Sequence, residues 1–127
     1  MKRSILVTLC ILFSIVTISQ HTIQFNIISL PNYHSAGADI YAAGTFNGWN
    51  PKDEKYKFKL NNNGIYNIEL KVNPGKAEFK LTRGGWDKVE CLQDGTSIGN
   101  REFNSDGDKI IELDVKGWAD HFPSKAK

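Results

Sequence analysis

Cysteine is nearly absent: the 127 residues contain two, Cys10 and Cys91. Cys10 falls inside an apolar N-terminal run, which leaves Cys91 alone in the body of the chain. A single thiol excludes an intrachain disulfide, so the domain is held by its core. Histidine is sparse as well. His21, His34 and His121 stand far apart, with no second His or Cys at metal-ligand spacing. No stretch carries an apolar period of 3.6 long enough to read as a helix. Charge of one sign is also missing. The formal balance is +2, from 16 basic and 14 acidic residues, and Lys2 and Arg3 supply the whole excess. Beyond residue 19 there are 14 of each sign. Electrostatics therefore gives no support to a nucleic-acid or anionic-membrane partner.

The first nineteen residues have the three parts of a secretory signal. Lys2 and Arg3 form the positive start, residues 5–18 form the apolar run, and the small residues Thr17 and Ser19 precede Gln20. Cleavage is expected after Ser19, leaving residues 20–127 as one domain without a membrane span. The protein is then secreted, to a periplasmic, extracellular or cell-surface location. Cys10 is a poor lipid anchor, because Leu9 stands before it where a small residue is needed and the apolar run continues beyond it.

From Gln20 onward the periodicity is two. Ile23, Phe25 and Ile27 alternate with Thr22, Gln24 and Asn26, a first strand. Residues 38–44 read as a second, and residues 56–60 and 65–72 as two more. Between these last two, Asn61-Asn62-Asn63-Gly64 is the strongest hairpin signal in the chain. Residues 78–83 form another strand, with Phe79 and Leu81 inward and Lys80 and Thr82 outward. Residues 87–92 allow one more short strand. Residues 94–108 are a long polar stretch of the kind that is functional or hides a short strand. Ile111, Leu113 and Val115 mark the last strand. About seven short strands separated by turn residues predict an all-β, antiparallel sandwich of immunoglobulin-like size.

Two turns stand out. Residues 44–50, Gly-Thr-Phe-Asn-Gly-Trp-Asn, and residues 79–86, Phe-Lys-Leu-Thr-Arg-Gly-Gly-Trp, each end a strand at glycine and then present a tryptophan. Trp49 and Trp86 offer flat apolar faces that suit the C–H face of a pyranose ring. Lys, Asn and Arg side chains nearby supply donors for the hydroxyl rim, and Asn also accepts. Trp118, beside Gly117, lacks such polar company and is expected to close one end of the sandwich.

No active site emerges from the remaining polar residues. Asp87 and Glu90 are three apart, so a strand would point them to opposite faces, which argues against a paired acid and base. They read as a solvated strand edge. Residues 104–108, Asn-Ser-Asp-Gly-Asp, hint at a calcium loop but lack the downstream glutamate, and a hairpin turn explains them equally well. No cofactor and no metal are expected.

Residues 40–49, Ile-Tyr-Ala-Ala-Gly-Thr-Phe-Asn-Gly-Trp, resemble the opening motif of starch- and glycogen-binding modules, carbohydrate-binding module families 20 and 48. Phe79-Lys80-Leu81 with Gly-Gly-Trp86 is similar to their second motif, and Asn100-Arg101-Glu102-Phe103 to the Asn-Arg-Glu-aromatic signature of the starch-binding family. Residues 82–90 also resemble a variant found in secreted bacterial proteins. The resemblance spans roughly residues 23–115.

It implies an immunoglobulin-like sandwich that binds α-glucan without catalysis. Trp49 and Trp86 would stack on consecutive glucose units, and Lys80 and Asn100 would hydrogen-bond their hydroxyls. Arg83, Asp87, Glu90 and Arg101 are further candidates around the platform. The stretch from Trp86 to Asn100 is longer than in the usual pattern. The family's second, tyrosine-built sugar site has no matching motif, and Tyr33, Tyr41, Tyr56 and Tyr66 stay unassigned. The expected partner is starch, glycogen or a malto-oligosaccharide, and a separate glycoside-processing enzyme is a further candidate. A protein-interaction module on the same sandwich is the alternative, since fold does not fix function.

Overall fold

The structure is a computed structural model and describes residues 4–5, 7–12, 14 and 19–123. Lys2, Arg3 and Thr17 of the expected signal lie outside the described residues. Among the described residues no helix is long and apolar enough to cross a membrane.

Among the described residues nine strands form three sheets. They are β1 (His21–Ser29), β2 (Tyr41–Gly44), β3 (Lys59–Leu60), β4 (Tyr66–Val72), β5 (Gly75–Thr82), β6 (Glu90–Cys91), β7 (Arg101–Ser105), β8 (Lys109–Asp114) and β9 (Gly117–Trp118). The first sheet runs β3-β4-β1-β8, the second β2-β5-β7, and β6 pairs with β9 in a short ribbon. The order confirms an all-β sandwich. One pairing departs from the antiparallel expectation: β8 lies parallel to β1, with a register shift between Ile27 and Ser29.

Period-two patterning sets which faces meet. On β1 the side chains of Ile23, Phe25 and Ile27 are buried, while Thr22, Gln24 and Asn26 face partly outward. Phe25 stacks on Phe79 of β5 with ring centroids 4.5 Å apart and meets Phe103 of β7 edge-on at 5.6 Å. The two larger sheets therefore share one aromatic core. Each such phenylalanine contributes roughly 1.5–3 kcal/mol through burial of apolar surface.

Three expectations change in detail. Residues 56–60 are only partly strand, because Glu54–Tyr56 turns as a 3-10 segment and β3 begins at Lys59. The polar stretch 94–108 contains β7, whose Phe103 and Ser105 point inward opposite Ala77 and Gly75 of β5. Residues 87–92 split into a 3-10 turn at Trp86–Lys88 and the two-residue β6. The Asn61–Gly64 turn is as expected. The Asn61 side chain accepts from the backbone N–H groups of Asn63 and Ile65, at 2.9 and 3.0 Å, and joins β3 to β4.

Trp118 closes one end of the sandwich, buried on β9. Its backbone N–H donates to the Tyr33 hydroxyl at 2.9 Å and its indole N–H to His34 Nδ1 at 3.0 Å. Gly117 allows this close approach. A side chain there would come within 2.9 Å of the Leu92 carbonyl and 3.1 Å of the Cys91 sulfur.

Candidate functional site

The first tryptophan turn is built by Gly44 and Asn47. Gly44 ends β2 in extended backbone, and a Cβ there would overlap the Glu78 carbonyl oxygen and lie 2.8 Å from Phe79 Cβ. Only glycine lets β2 approach β5 this closely. Asn47 then clamps the turn. Its side chain accepts from the Gly44 N–H at 2.9 Å and donates to the Ala42 carbonyl at 3.0 Å. Gly48 and Trp49 follow at φ of 62° and 60°. Among the described residues Trp49 is the one non-glycine residue with positive φ. A bulky side chain in that region costs roughly 1–2 kcal/mol, and such strain concentrates where a ring must be presented in a fixed direction.

The second turn leaves β5 at Thr82. Gly84 takes φ of 104°, which glycine tolerates. Gly85 is extended, and a Cβ there would meet only the exposed Asp87 carboxylate, at 2.5 Å, a side chain free to turn away. The Arg83 N–H donates to the Lys88 carbonyl and the Lys88 N–H to that of Gly85, both at 3.0 Å, closing the 3-10 turn that carries Trp86.

The two indoles meet. Their centroids are 6.5 Å apart and their planes are inclined by 40°. Trp86 is 44% exposed and Trp49 is half-buried. The rings form an angled pair at the surface. Asp87 and Lys88 are exposed beside Trp86.

A buried threonine joins the turns. The Thr82 hydroxyl donates to the Pro51 carbonyl at 2.5 Å and accepts from the Gly84 N–H at 3.1 Å. Thr82 is fully buried, against the outward position that strict alternation assigned it. The chain beyond Trp49 folds back over it and covers that face.

The polar candidates divide into two groups. Lys80 is half-buried on β5, and its ammonium donates to the Ile98 carbonyl at 2.5 Å. It therefore touches the loop that carries Asn100, which is exposed two residues further on. Glu90 and Arg101 instead face each other inside the fold. Glu90 is 1% exposed, accepts from Arg101 Nε at 2.9 Å and from the Leu81 N–H at 2.7 Å, and is no solvated edge. A second Arg101 nitrogen donates to the Asp114 carbonyl at 2.7 Å. The two partners lie on different strands, a pairing that single-strand alternation does not reveal. Arg83 is likewise engaged: it pairs with Asp120, and its guanidinium lies 5.5 Å from the centroid of the Trp118 ring.

Sequence reasoning passed over Asn47 and Thr82, the two residues that shape and join the turns. Asn47 had a signal, since Asn-Gly marks a positive-φ turn. Thr82 had none. Among the described residues no group of three His, Cys, Asp or Glu side chains is placed to hold a metal ion. Cys91 is buried, and burial pushes its thiol above the usual range.

No family model matches the chain. Over 95 residues it is 38% identical to an alpha-amylase of Niallia circulans, covering 73% of this chain and 7% of that protein. Over 105 residues it is 33% identical to an amylopullulanase of Thermoanaerobacter thermohydrosulfuricus, covering 77% of this chain and 7% of that enzyme. A third relative, Protein PTST homolog 2, chloroplastic, of Arabidopsis thaliana, is 31% identical over 70 residues, which are 55% of this chain and 13% of the relative. The chain thus corresponds to a short segment, less than a tenth of the length, of the two enzymes it matches.

Proposed function

We propose that this chain is a non-catalytic module that binds α-glucan: starch, glycogen or malto-oligosaccharides. The observation that carries the reading is the Trp49–Trp86 pair, 6.5 Å apart and inclined by 40°. Each indole face matches the C–H face of one glucose ring, where burial gains hydrophobic and dispersion energy. An inclined pair suits a glucan that curves between successive units, as α-linked chains do, better than a flat one. Lys80 and Asn100 supply polar partners for the hydroxyl rim, with Asp87 beside Trp86. Such partners are needed because a sugar hydroxyl buried without one loses more than a good bond gains.

The relatives support the sugar class. Two carry enzyme names that denote action on amylose and pullulan, and this chain aligns with under a tenth of each. So small a segment fits an accessory part better than a catalytic one. The commitment of Glu90 to Arg101, and of both His34 ring nitrogens to Trp118 and Tyr66, agrees with binding rather than turnover. Residues 1–19 serve in this reading as an export signal, placing the module outside the cytoplasm beside a glycoside-processing enzyme.

Two stacked sugars and a few exposed hydrogen bonds give an affinity on the order of millimolar to ten micromolar, roughly 4–7 kcal/mol. The test is calorimetric titration of maltoheptaose into the protein alongside Trp49→Ala and Trp86→Ala. Each substitution is expected to abolish measurable binding while leaving the protein folded. Unchanged affinity in both variants would remove the platform, and recovery of a protein partner with no retention on insoluble starch would favour an interaction module instead.

A further inference from the structure

We propose a second contact region for the glucan, a polar cleft beside the Trp86 turn built on Arg83, Asp120 and His121. It rests on the α-glucan reading and extends it to longer oligosaccharides. The cleft has a volume of about 210 Å³ and is walled by Arg83, Asp120, His121, Ser35 and the edge of Trp118. Arg83 opens the same turn that ends at Trp86, three residues and at most about 10 Å of chain away. The 3-10 turn at Trp86–Lys88 packs on the 3-10 turn at Ala119–His121, and the Ala119 N–H donates to the Val89 carbonyl at 2.8 Å. The cleft and the indole pair are therefore neighbours, within reach of one bound chain.

The chemistry of the cleft suits a sugar edge. Arg83 pairs with both carboxylate oxygens of Asp120 through one nitrogen, and its guanidinium lies over the Trp118 ring. Arg83 Nε is buried with no hydrogen-bond partner. The pair holds the second terminal nitrogen of Arg83, a donor, next to the carboxylate acceptors of Asp120 in fixed orientation, the pattern that two vicinal hydroxyls match by donating once and accepting once. Asp120 is accessible, its side chain 36% exposed, so its remaining lone pairs are open to a ligand. His121 adds a flat surface. One face stacks on Tyr33 at 3.5 Å and 8°, Phe122 packs against the ring at 4.9 Å in a T-shaped contact, and the residue as a whole is exposed. His34, behind them, contributes no prong because Trp118 and Tyr66 occupy both its nitrogens.

Chain-length dependence tests the cleft. Maltotriose and maltoheptaose are titrated into the full chain, wild type, Asp120→Asn and His121→Ala. In the wild type the longer sugar is expected to bind about tenfold tighter. Both variants lose most of that gain and keep their maltotriose affinity within about twofold. The His121 ring resonances shift with maltoheptaose and not with maltotriose, which reads the contact even if a variant fails to fold. Variants that retain the full length dependence, or a His121 ring that ignores both sugars, overturn the cleft while leaving the platform standing. A wild-type protein that binds neither sugar removes the underlying reading and the cleft with it.

Discussion

The Thr82 hydroxyl donates to the Pro51 carbonyl at 2.5 Å, and this one bond connects the turn of Trp49 to the turn of Trp86. The same oxygen accepts from the Gly84 N–H. Thr82→Val keeps the shape and removes the hydroxyl, leaving a part-buried carbonyl and a part-buried N–H unpaired. We expect a loss of about 1–3 kcal/mol in urea unfolding. We also expect several-fold weaker maltoheptaose binding, although both indoles remain. Wild-type affinity in the Thr82→Val variant would show that the turns hold their spacing without the threonine.

Gly44 and Gly48 are required for different reasons, and alanine separates them. At Gly44 the obstacle is crowding by Glu78 and Phe79, with ordinary extended backbone. At Gly48 the space is open and the cost is the φ of 62°. Gly48→Ala is expected to lose about 1–2 kcal/mol. Gly44→Ala forces β2 away from β5 and is expected to lose about 1–3 kcal/mol or more. Thermal melts of the two variants give the order, and equal losses would count against a packing role for Gly44.

Local patterns made much of this legible. Alternation placed Ile23, Phe25, Ile27, Phe79 and Leu81 in the core, and Asn61 to Gly64 announced their hairpin. Glycine followed by tryptophan marked both turns, whose meeting at 6.5 Å sequence could suggest but not measure. What stayed hidden depends on partners distant in sequence. Glu90 looked solvated because its cation is Arg101 on another strand. Thr82 looked exposed because its cover comes from Pro51. The strand Arg101–Ser105 was masked by polar residues, since only Phe103 among its inward positions is apolar. The parallel β1–β8 pairing is a matter of topology, which no local period encodes.

The Glu90–Arg101 pair ties β5, β6, β7 and β8 together and should govern stability more than binding. Glu90 accepts from the Leu81 N–H and from Arg101, whose other nitrogen reaches the Asp114 carbonyl. Removing Arg101 strands the buried Glu90 carboxylate, a loss of roughly 3–5 kcal/mol for a buried pair. Removing Glu90 costs less, because the Arg101 side chain is 25% exposed. Arg101→Ala is expected to lower the urea midpoint sharply, Glu90→Ala to lower it less, and the double variant to lose less than the sum. Additive losses would mean that the pair is not coupled. Maltoheptaose affinity, measured where each variant is fully folded, should change less than about threefold.

His34 sets a pH dependence whose sign follows from its hydrogen bonds. The Trp118 indole N–H donates to Nδ1 at 3.0 Å, so the neutral ring carries its proton on Nε2, 3.2 Å from the Tyr66 oxygen. The Tyr66 hydroxyl in turn donates to the Ala38 carbonyl at 2.8 Å. Protonating Nδ1 would set two donors against each other. Burial, reinforced by the nearby Arg83 charge, pulls the His34 pKa below its ordinary 6.5, while burial raises that of Tyr66 out of the range. The unfolded chain therefore takes up its proton first as pH falls. Stability from this group is complete above about pH 6.5 and declines on acidification through 6.5 towards the lower folded value. Urea midpoints measured from pH 7.5 down to about 5.5 should fall in the wild type. The dependence should flatten in His34→Gln, which keeps one acceptor and one donor but cannot titrate. A wild-type midpoint that holds steady across the window would mean that His34 accepts its second proton inside the fold at no cost.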